Sequence, residues 1–267
     1  MLKDITLGQY FPIDSKLHKL DSRTKILLLI LDVVAIFMAQ SFYSYCLIIL
    51  FTLFIVKISK VPVNMYFKGL KPILFIILFT AVLNMFLTDG RDLPVFGHSI
   101  GLTVEGVIMA IKMALRLVLL IIASSALTYT TSPMALTDGI EKLLKPFSKI
   151  GFPAHELAMM MSIAIRFIPT LIEETDKIIK AQQARGADFD TGSLIKRAKS
   201  LIPMLVPLFI SAFRRADELA VAMESRCYRG GDSRTRLKEI RFTITDLWGF
   251  LVFALFFAAV ITLDIVF

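Results

Sequence analysis

The sequence VEGVIMAIKMALRLVLLIIASSALT, residues 104–128, decides the fold, because it stays apolar over a length that suits a membrane crossing. A helix needs about 20 mainly apolar residues, within a range of ~17–25, to cross a hydrocarbon core of ~30 Å. Four more apolar stretches occupy residues 26–39, 45–56, 72–87 and 247–267. The first two of these are short and need flanking residues to complete a crossing. The sequence therefore predicts about five transmembrane helices.

Composition also indicates a membrane protein. Hydrophobic residues make up 56% of the 267 residues and charged residues only 19%, whereas average soluble domains have roughly 45–50% and about 25%. Lys and Arg together number 30 against 22 Asp and Glu, and the basic residues gather between the apolar stretches, as in cytoplasmic loops. The positive charge therefore needs no nucleic acid, and we expect none among the partners.

The basic segments also predict the orientation. Several Lys and Arg residues precede the first span and separate the second from the third, while the connection 40–44 carries no charge. The positive-inside rule then places the N-terminus in the cytoplasm and the C-terminus outside after the fifth span. Cys46 and Cys227 fall on opposite sides of the bilayer in this topology, which excludes a disulfide between them.

The region 131–241 follows a different pattern, in which apolar residues recur at helical spacing among many charges. We interpret it as long amphipathic helices and not as spans. One apolar stripe runs from Leu157 to Ile178 and a second from Ile195 to Met223. The predicted organisation is a four-span bundle at 1–130 with a cytoplasmic N-terminus, a cytoplasmic helical region at 131–241 and a final transmembrane helix at 242–267. The fold class is an all-α polytopic membrane protein.

Proline and glycine predict where these helices begin and end. Ser132 offers an N-cap before Pro133 at the first helical position, Gly151 breaks the chain, and Gly186 marks another break. Pro203 and Pro207 should bend the last long amphipathic helix without ending it, since its apolar stripe continues through them.

Two arginines stand at the C-terminal ends of successive amphipathic helices, in Ala184-Arg185-Gly186 and Ser225-Arg226-Cys227. As helix caps, Arg complements the negative end of the helix dipole and Gly supplies the left-handed turn. As functional groups, such arginines can form bidentate bonds with a carboxylate on a docked partner. The recurrence of the pattern on two helices with apolar backs favours the functional reading.

Charged residues occur deep within predicted spans: Asp32 in the first, and Lys112 and Arg116 in the fourth. An ionisable group inside a bilayer is costly and usually pairs or faces water. We expect an intramembrane ion pair of Asp32 with Arg116, or less favourably with Lys112. The alternative is an ion-coupled secondary transporter using Asp32 and Arg116, but the inverted repeats typical of that class are not visible.

The sequence lacks the motifs of an enzyme. It contains no GxxxxGK[ST] phosphate loop, no HExxH and no GxSxG, and its three His residues are scattered. We therefore expect no catalytic residue, no metal and no cofactor. A membrane-anchored scaffold that uses basic amphipathic helices is a further alternative, but it leaves the paired helix-end arginines unexplained.

Five segments resemble the EcfT/CbiQ family over nearly the whole chain. They are GQYFPIDSKLHKLDSRTK (8–25), TTSPMALTDGIEKLLKP (130–146), AIRFIPTL (164–171), AQQARG (181–186) and RADELAVAMESRCYRG (215–230). Two positions depart from the family pattern: the second motif reads Ser-Arg-Cys where Ala-Arg-Gly is commoner, and Ser22 stands where Pro is usual. A slightly altered fit to the second ATPase is the most that these departures suggest.

The resemblance implies a function that composition and spacing do not give. It implies a transmembrane coupling subunit of an ECF-type ABC importer for vitamins or other micronutrients, in the membrane of a prokaryotic cell. The partners it implies are two EcfA-type ATPase subunits, which hydrolyse the ATP, and a substrate-binding S component. The 131–241 helices are then cytoplasmic coupling helices. Arg185 and Arg226 are the coupling arginines, with Ala184, Gly186, Ser225 and Cys227 beside them.

Overall fold

The computed structural model describes residues 9–95, 98–187, 193, 195, 199–228, 230 and 242–266. Residues 231–241 of the predicted cytoplasmic region, and Phe267 at the end of the last predicted span, lie outside this description. The elements, in chain order, are α1 (Ser22–Met38), α2 (Phe42–Ser59), α3 (Val63–Leu70), α4 (Leu74–Leu87), β1 (Asp92–Val95), β2 (His98–Thr103), α5 (Val104–Thr130), α6 (Pro133–Leu144), a 3₁₀ helix (Lys145–Ile150), α7 (Ala154–Ala184), α8 (Ile202–Ser225) and α9 (Ile244–Val266).

The chain is an all-α polytopic membrane protein, as the sequence predicts. Among the described residues, four helices are long and apolar enough to cross a membrane, namely α2, α5, α7 and α9, and α3 with α4 forms a fifth candidate that is bent by 59°. The fourth and fifth predicted spans correspond to α5 and α9. The first predicted span is α1, whose 17 residues fall at the short end of the range for a crossing.

Three features differ from the sequence interpretation. The third predicted span is preceded by the separate helix α3, because Lys68, Gly69 and Lys71 interrupt the apolar run. The connection 88–103 contains the short antiparallel strands β1 and β2, a local feature that leaves the fold class all-α and that the sequence pattern does not predict. Finally, α7 is long and apolar enough for a span, whereas its sequence pattern predicts an amphipathic helix only. Most of its charged residues lie in its second half.

The described chain divides into two compact units. One takes in the described residues between Ile140 and Glu239, and the other takes in those up to Gly139 together with those from Ile240 onward. The domain boundaries drawn from the sequence at 130/131 and 241/242 stay a prediction, because compactness does not report on the side of the membrane.

The core of the second unit lies where α1, α2, α5 and α9 meet. Its fully buried side chains include Ile36 from α1 and Ile48 from α2, with Val260 from α9. The rings of Phe51 and Phe256 stack with centroids 3.9 Å apart. Many other large apolar side chains of these helices are exposed, as expected for surfaces that face lipid.

The two acidic residues of α9 hold backbone groups at both ends of α1. Asp246 is fully buried and accepts a 2.8 Å hydrogen bond from the Asp21 N–H, just before α1. At the far end, Asp264 accepts hydrogen bonds of 2.8 Å from the Ser41 N–H and 2.7 Å from the Ser44 hydroxyl. A carboxylate that satisfies helix-end N–H groups contributes a charge-assisted cap, so α9 fixes α1 at two levels.

Helix starts follow the predicted chemistry. The N–H of Ala135 donates to the Ser132 hydroxyl at 3.3 Å, and α6 begins at Pro133. Gly151 ends the 3₁₀ helix in the left-handed region. Pro207 lies inside α8, as predicted, and Pro203 stands in its first turn.

Candidate coupling site at two helix ends

Helices α7 and α8 pair antiparallel, and polar contacts mark both ends and the middle of the pair. The Gln182 amide donates to the Pro203 carbonyl at 3.3 Å, and Arg215 Nη2 donates to Glu174 Oε2 at 2.9 Å. At the other end, the Tyr228 hydroxyl lies 3.1 Å from the Met159 sulfur. As residue numbers rise along α7 they fall along α8, so the C-terminal ends of the two helices lie at opposite ends of the pair.

The middle contact is electrostatic. Glu174 accepts a hydrogen bond from the Ser211 hydroxyl and forms an ion pair with Arg215. Sequence reasoning missed this link, because Glu174 belongs to a dense run of charges on α7 and nothing in that run distinguishes it from its neighbours.

The first arginine motif ends α7 in a Schellman cap. Arg185 is the C-cap residue, and Gly186 follows with φ +86°. The Gly186 N–H bonds to the Gln183 carbonyl at 2.9 Å, and the Ala187 N–H bonds to the Gln182 carbonyl at 3.0 Å. These two bonds are the pair that defines the motif.

The second motif ends α8 in the same way. Arg226 is the C-cap residue, with φ −92° and ψ 14° against −88° and 6° at Arg185. The Cys227 N–H bonds to the Glu224 carbonyl at 2.9 Å, and the Tyr228 N–H to the Met223 carbonyl at 3.0 Å. Cys227 takes the left-handed position with φ +59°, which a residue with a Cβ occupies at a cost. Replacing Gly by Cys therefore leaves the cap intact.

Both guanidinium groups are presented outward. Arg185 and Arg226 are exposed, and neither side chain forms a hydrogen bond or ion pair within the part of the chain that the structure describes. Arg185 lies at the Pro203 end of the pair, and at ~1.5 Å per residue Arg226 lies about 35 Å further along α8. The flanking residues Ala184, Gly186, Ser225 and Cys227 are also exposed. The geometry therefore offers two matched and well separated cationic ends.

Helix α8 also carries an exposed apolar face. None of its residues is buried, and the side chains of Leu205, Val206, Phe209, Ile210 and Phe213 are each more than half exposed. Such a contiguous apolar face indicates a site for another apolar surface, either lipid or protein. No group of three or more His, Cys, Asp or Glu residues that could hold a metal occurs among the described residues.

The predicted intramembrane ion pair is not formed. Asp32 is buried, and its Oδ1 has no hydrogen-bond partner. Arg116 instead donates to the Tyr45 hydroxyl at 3.1 Å, and Lys112 donates to the Gln40 carbonyl at 2.7 Å. Both cations thus point to the far end of α1, whereas Asp32 lies about 7 Å short of Phe37, the α1 residue beneath the Arg116 guanidinium. This offset along the helix axes separates Asp32 from both cations, and hydropathy alone does not reveal it.

Comparison with known proteins gives consistent matches. The model of the CbiQ family, described as "Cobalt transport protein", matches residues 14–237. Three relatives named "Energy-coupling factor transporter transmembrane protein EcfT" are similar over most of their length. The chain is 61% identical to the protein of Clostridium kluyveri over 92% of both chains. It is 55% identical to that of Ruminiclostridium cellulolyticum over the full length of both. It is 47% identical to that of Bacillus subtilis over 92% of this chain and 93% of the relative.

Proposed function

Because the chain belongs to the CbiQ family, as a transmembrane component of energy-coupling factor transporters, we propose that it couples two ATPase subunits to a substrate-capturing membrane protein. In this proposal the charged C-terminal ends of α7 and α8 lie on the cytoplasmic side. The chain itself hydrolyses no ATP. The captured substrate is a vitamin or another micronutrient, and a separate S component binds it.

The observation that carries the proposal is the pair of matched arginine ends. If a helix end needs only a positive charge near its carbonyl groups, any basic side chain in the last turn can provide that charge. Here the Schellman caps already satisfy those carbonyls through backbone N–H groups, so both guanidinium groups are left with their five donors unused by the described chain. An exposed Arg of this kind suits a bidentate bond to a carboxylate on another protein.

The spacing of the arginines supports two docking sites. Ends about 35 Å apart are too distant for one small pocket, and each suits a separate subunit. Since the caps have nearly the same backbone angles, the two subunits can present the same kind of groove. Two copies of one ATPase, or two related ATPases, fit this requirement.

The apolar face of α8 supports the second half of the proposal. Exposing a face that includes Phe209 and Phe213 to water costs about 25 cal/mol of free energy for each Å² of apolar surface. An S component is a membrane protein with apolar surface of its own, so it can cover this face. Movement of the helix ends is then transmitted to the S component through α8, the helix that the S component contacts.

The test measures transport and ATP hydrolysis in liposomes that contain the chain with its ATPases and S component. The variants are Arg185→Ala, Arg226→Ala and the double variant; Arg166→Ala on α7 and Arg214→Ala on α8 are matched controls, since both are exposed arginines away from the helix ends. Loss of one member of a desolvated charge pair costs about 2–5 kcal/mol. We expect each single variant to impair transport, the double variant to abolish it or lose ATPase subunits, and the controls to behave as wild type.

Two results would contradict the proposal. Full transport by the double variant would show that the arginines are helix caps only. Equal losses in the controls would show that any exposed cation on these helices matters, and not its position at the end. Arg185→Lys and Arg226→Lys refine the test, because Lys keeps the charge without the planar fork and should already reduce coupling.

A further inference from the structure

The two cations of α5 that do not pair with Asp32 converge on one place in the structure. Lys112 and Arg116 are one turn apart on the same face of α5, where residues four apart are neighbours. Lys112 donates to the Gln40 carbonyl just beyond α1. Arg116 donates to the Tyr45 hydroxyl in the first turn of α2, and its guanidinium covers the ring of Phe37 at 5.2 Å. We call residues 37–45 the α1–α2 corner.

The positive charge at this corner is not neutralised by the described residues. Asp264 is the carboxylate that reaches the corner, and it accepts hydrogen bonds from the Gln40 N–H, the Ser41 N–H and the Ser44 hydroxyl. It forms no ion pair with either cation. Two cations therefore face one carboxylate that is already occupied, which leaves a net positive corner.

The cations also keep donors unused. Arg116 forms one hydrogen bond of ordinary length, to the Tyr45 hydroxyl, and the contact of its Nη1 with the Met113 sulfur is long at 4.0 Å. Lys112 uses one of its three donors. Together these groups suit an anion with several acceptor oxygens.

The depth of the corner identifies the source of that anion. Lys25 donates to the Thr130 carbonyl at 2.9 Å, so the start of α1 and the end of α5 share one level. Lys112 lies about 27 Å along α5 from Thr130, close to the ~30 Å thickness of a hydrocarbon core. The α1–α2 corner therefore lies at the opposite interface, where lipid phosphates are found. Arg116 lies one turn deeper and reaches toward that level, as long basic side chains do.

We propose that Lys112 and Arg116 form a binding site for the phosphate of an anionic phospholipid at the α1–α2 corner, with Arg116 held in place by the buried Tyr45 hydroxyl. Arg supplies a planar fork for two phosphate oxygens, and Lys supplies a point charge beside it. The exposed ring of Phe37 offers apolar surface for the upper part of the acyl chains. The lipid then neutralises the corner and holds α5 to the turn between α1 and α2.

The test uses the full-length chain in its purified complex, delipidated in a neutral detergent. Phosphatidylglycerol, phosphatidylcholine or inorganic phosphate is added, and thermal stability and lipid retention in native mass spectrometry are measured. We compare Lys112→Gln/Arg116→Gln with Lys57→Gln/Lys68→Gln, which removes two exposed lysines elsewhere in the same unit. Phosphatidylglycerol should stabilise the wild type and the control more than phosphatidylcholine does. The first double variant should bind it at least about tenfold more weakly.

A third variant separates binding from folding. Lys112→Arg/Arg116→Lys keeps both charges and should retain the preference for phosphatidylglycerol even if its basal stability changes. Equal stabilisation by both phospholipids, or an unchanged preference in the Gln variant, overturns the proposal. So does equal protection by inorganic phosphate, because the source is then not a lipid. If the preference appears only without the S component, the site belongs to a protein partner, which also overturns it.

Discussion

Gly186→Ala tests whether the cap geometry of the arginine ends matters for coupling. Gly186 has φ +86° and nothing within 4 Å of where a Cβ would be built, so the substitution causes no clash and acts only through backbone conformation. An L-residue in the left-handed region costs roughly 1–2 kcal/mol. A penalty of that size shifts the ratio of capped to frayed helix ends by about 5–30-fold.

The chain offers a matched control for this substitution. Gly151 has φ +87° and equally open surroundings, and it ends the 3₁₀ helix far from both arginines in sequence. Gly151→Ala should therefore cost about the same local free energy. If the Schellman cap directs the Arg185 guanidinium into a docking groove, Gly186→Ala should reduce transport and coupled ATP hydrolysis several-fold, whereas Gly151→Ala should leave them near wild type.

The assay compares both variants in reconstituted liposomes, with thermal unfolding of the same preparations as the stability reference. Equal losses of transport in the two variants would attribute the effect to stability alone. Wild-type transport by Gly186→Ala, at a lowered melting temperature, would show that the direction of Arg185 is irrelevant. Either result refutes the argument from the cap.

Three further predictions concern the cap at Cys227, the membrane topology and the link between Glu174 and α8. Cys227→Gly should raise stability by about 1 kcal/mol without loss of transport, because Gly relieves the left-handed strain at φ +59°; a lower melting temperature would contradict this. In a Cys46→Ala background, Cys227 should resist an impermeant thiol reagent applied to intact cells, whereas a cysteine at Asp89 should react; the reverse pattern would invert the predicted topology. Glu174→Gln should weaken the α7–α8 pair by up to about 1 kcal/mol at neutral pH, with exposed Glu173→Gln as control.

The sequence predicted well what depends on local composition. Hydropathy located the apolar helices, and Pro133 and Gly151 marked a helix start and a helix end where the structure has them. The two arginines were recognisable as helix-end residues because Gly186 and the end of an apolar stripe are local signals. What the arginines contact in a complex remains a prediction.

The sequence could not predict what depends on how the helices are offset against one another. Asp32 and Arg116 both lie within apolar stretches, and only the packed bundle shows that Arg116 extends toward Tyr45 and away from Asp32. The role of Asp264 was missed for the same reason, since its three donors come from residues more than 200 positions earlier. An acidic residue near each end of the last span was the available signal.

The contrast between the two units bears on how force would be transmitted under the proposed function. Helix α5 buries side chains along its whole length, from Gly106 to Thr130, and α9 is anchored at both ends by carboxylates. In α7 only Ala154 and Ala158 are buried, and in α8 no residue is. Burial of apolar surface is the main stabilising contribution in proteins, and partly exposed polar links such as Glu174–Arg215 add little. The α7–α8 pair therefore depends on its partners for cover, and a displacement applied at Arg185 or Arg226 meets little resistance from a core of its own. The displacement passes instead to whichever protein covers the apolar face of α8.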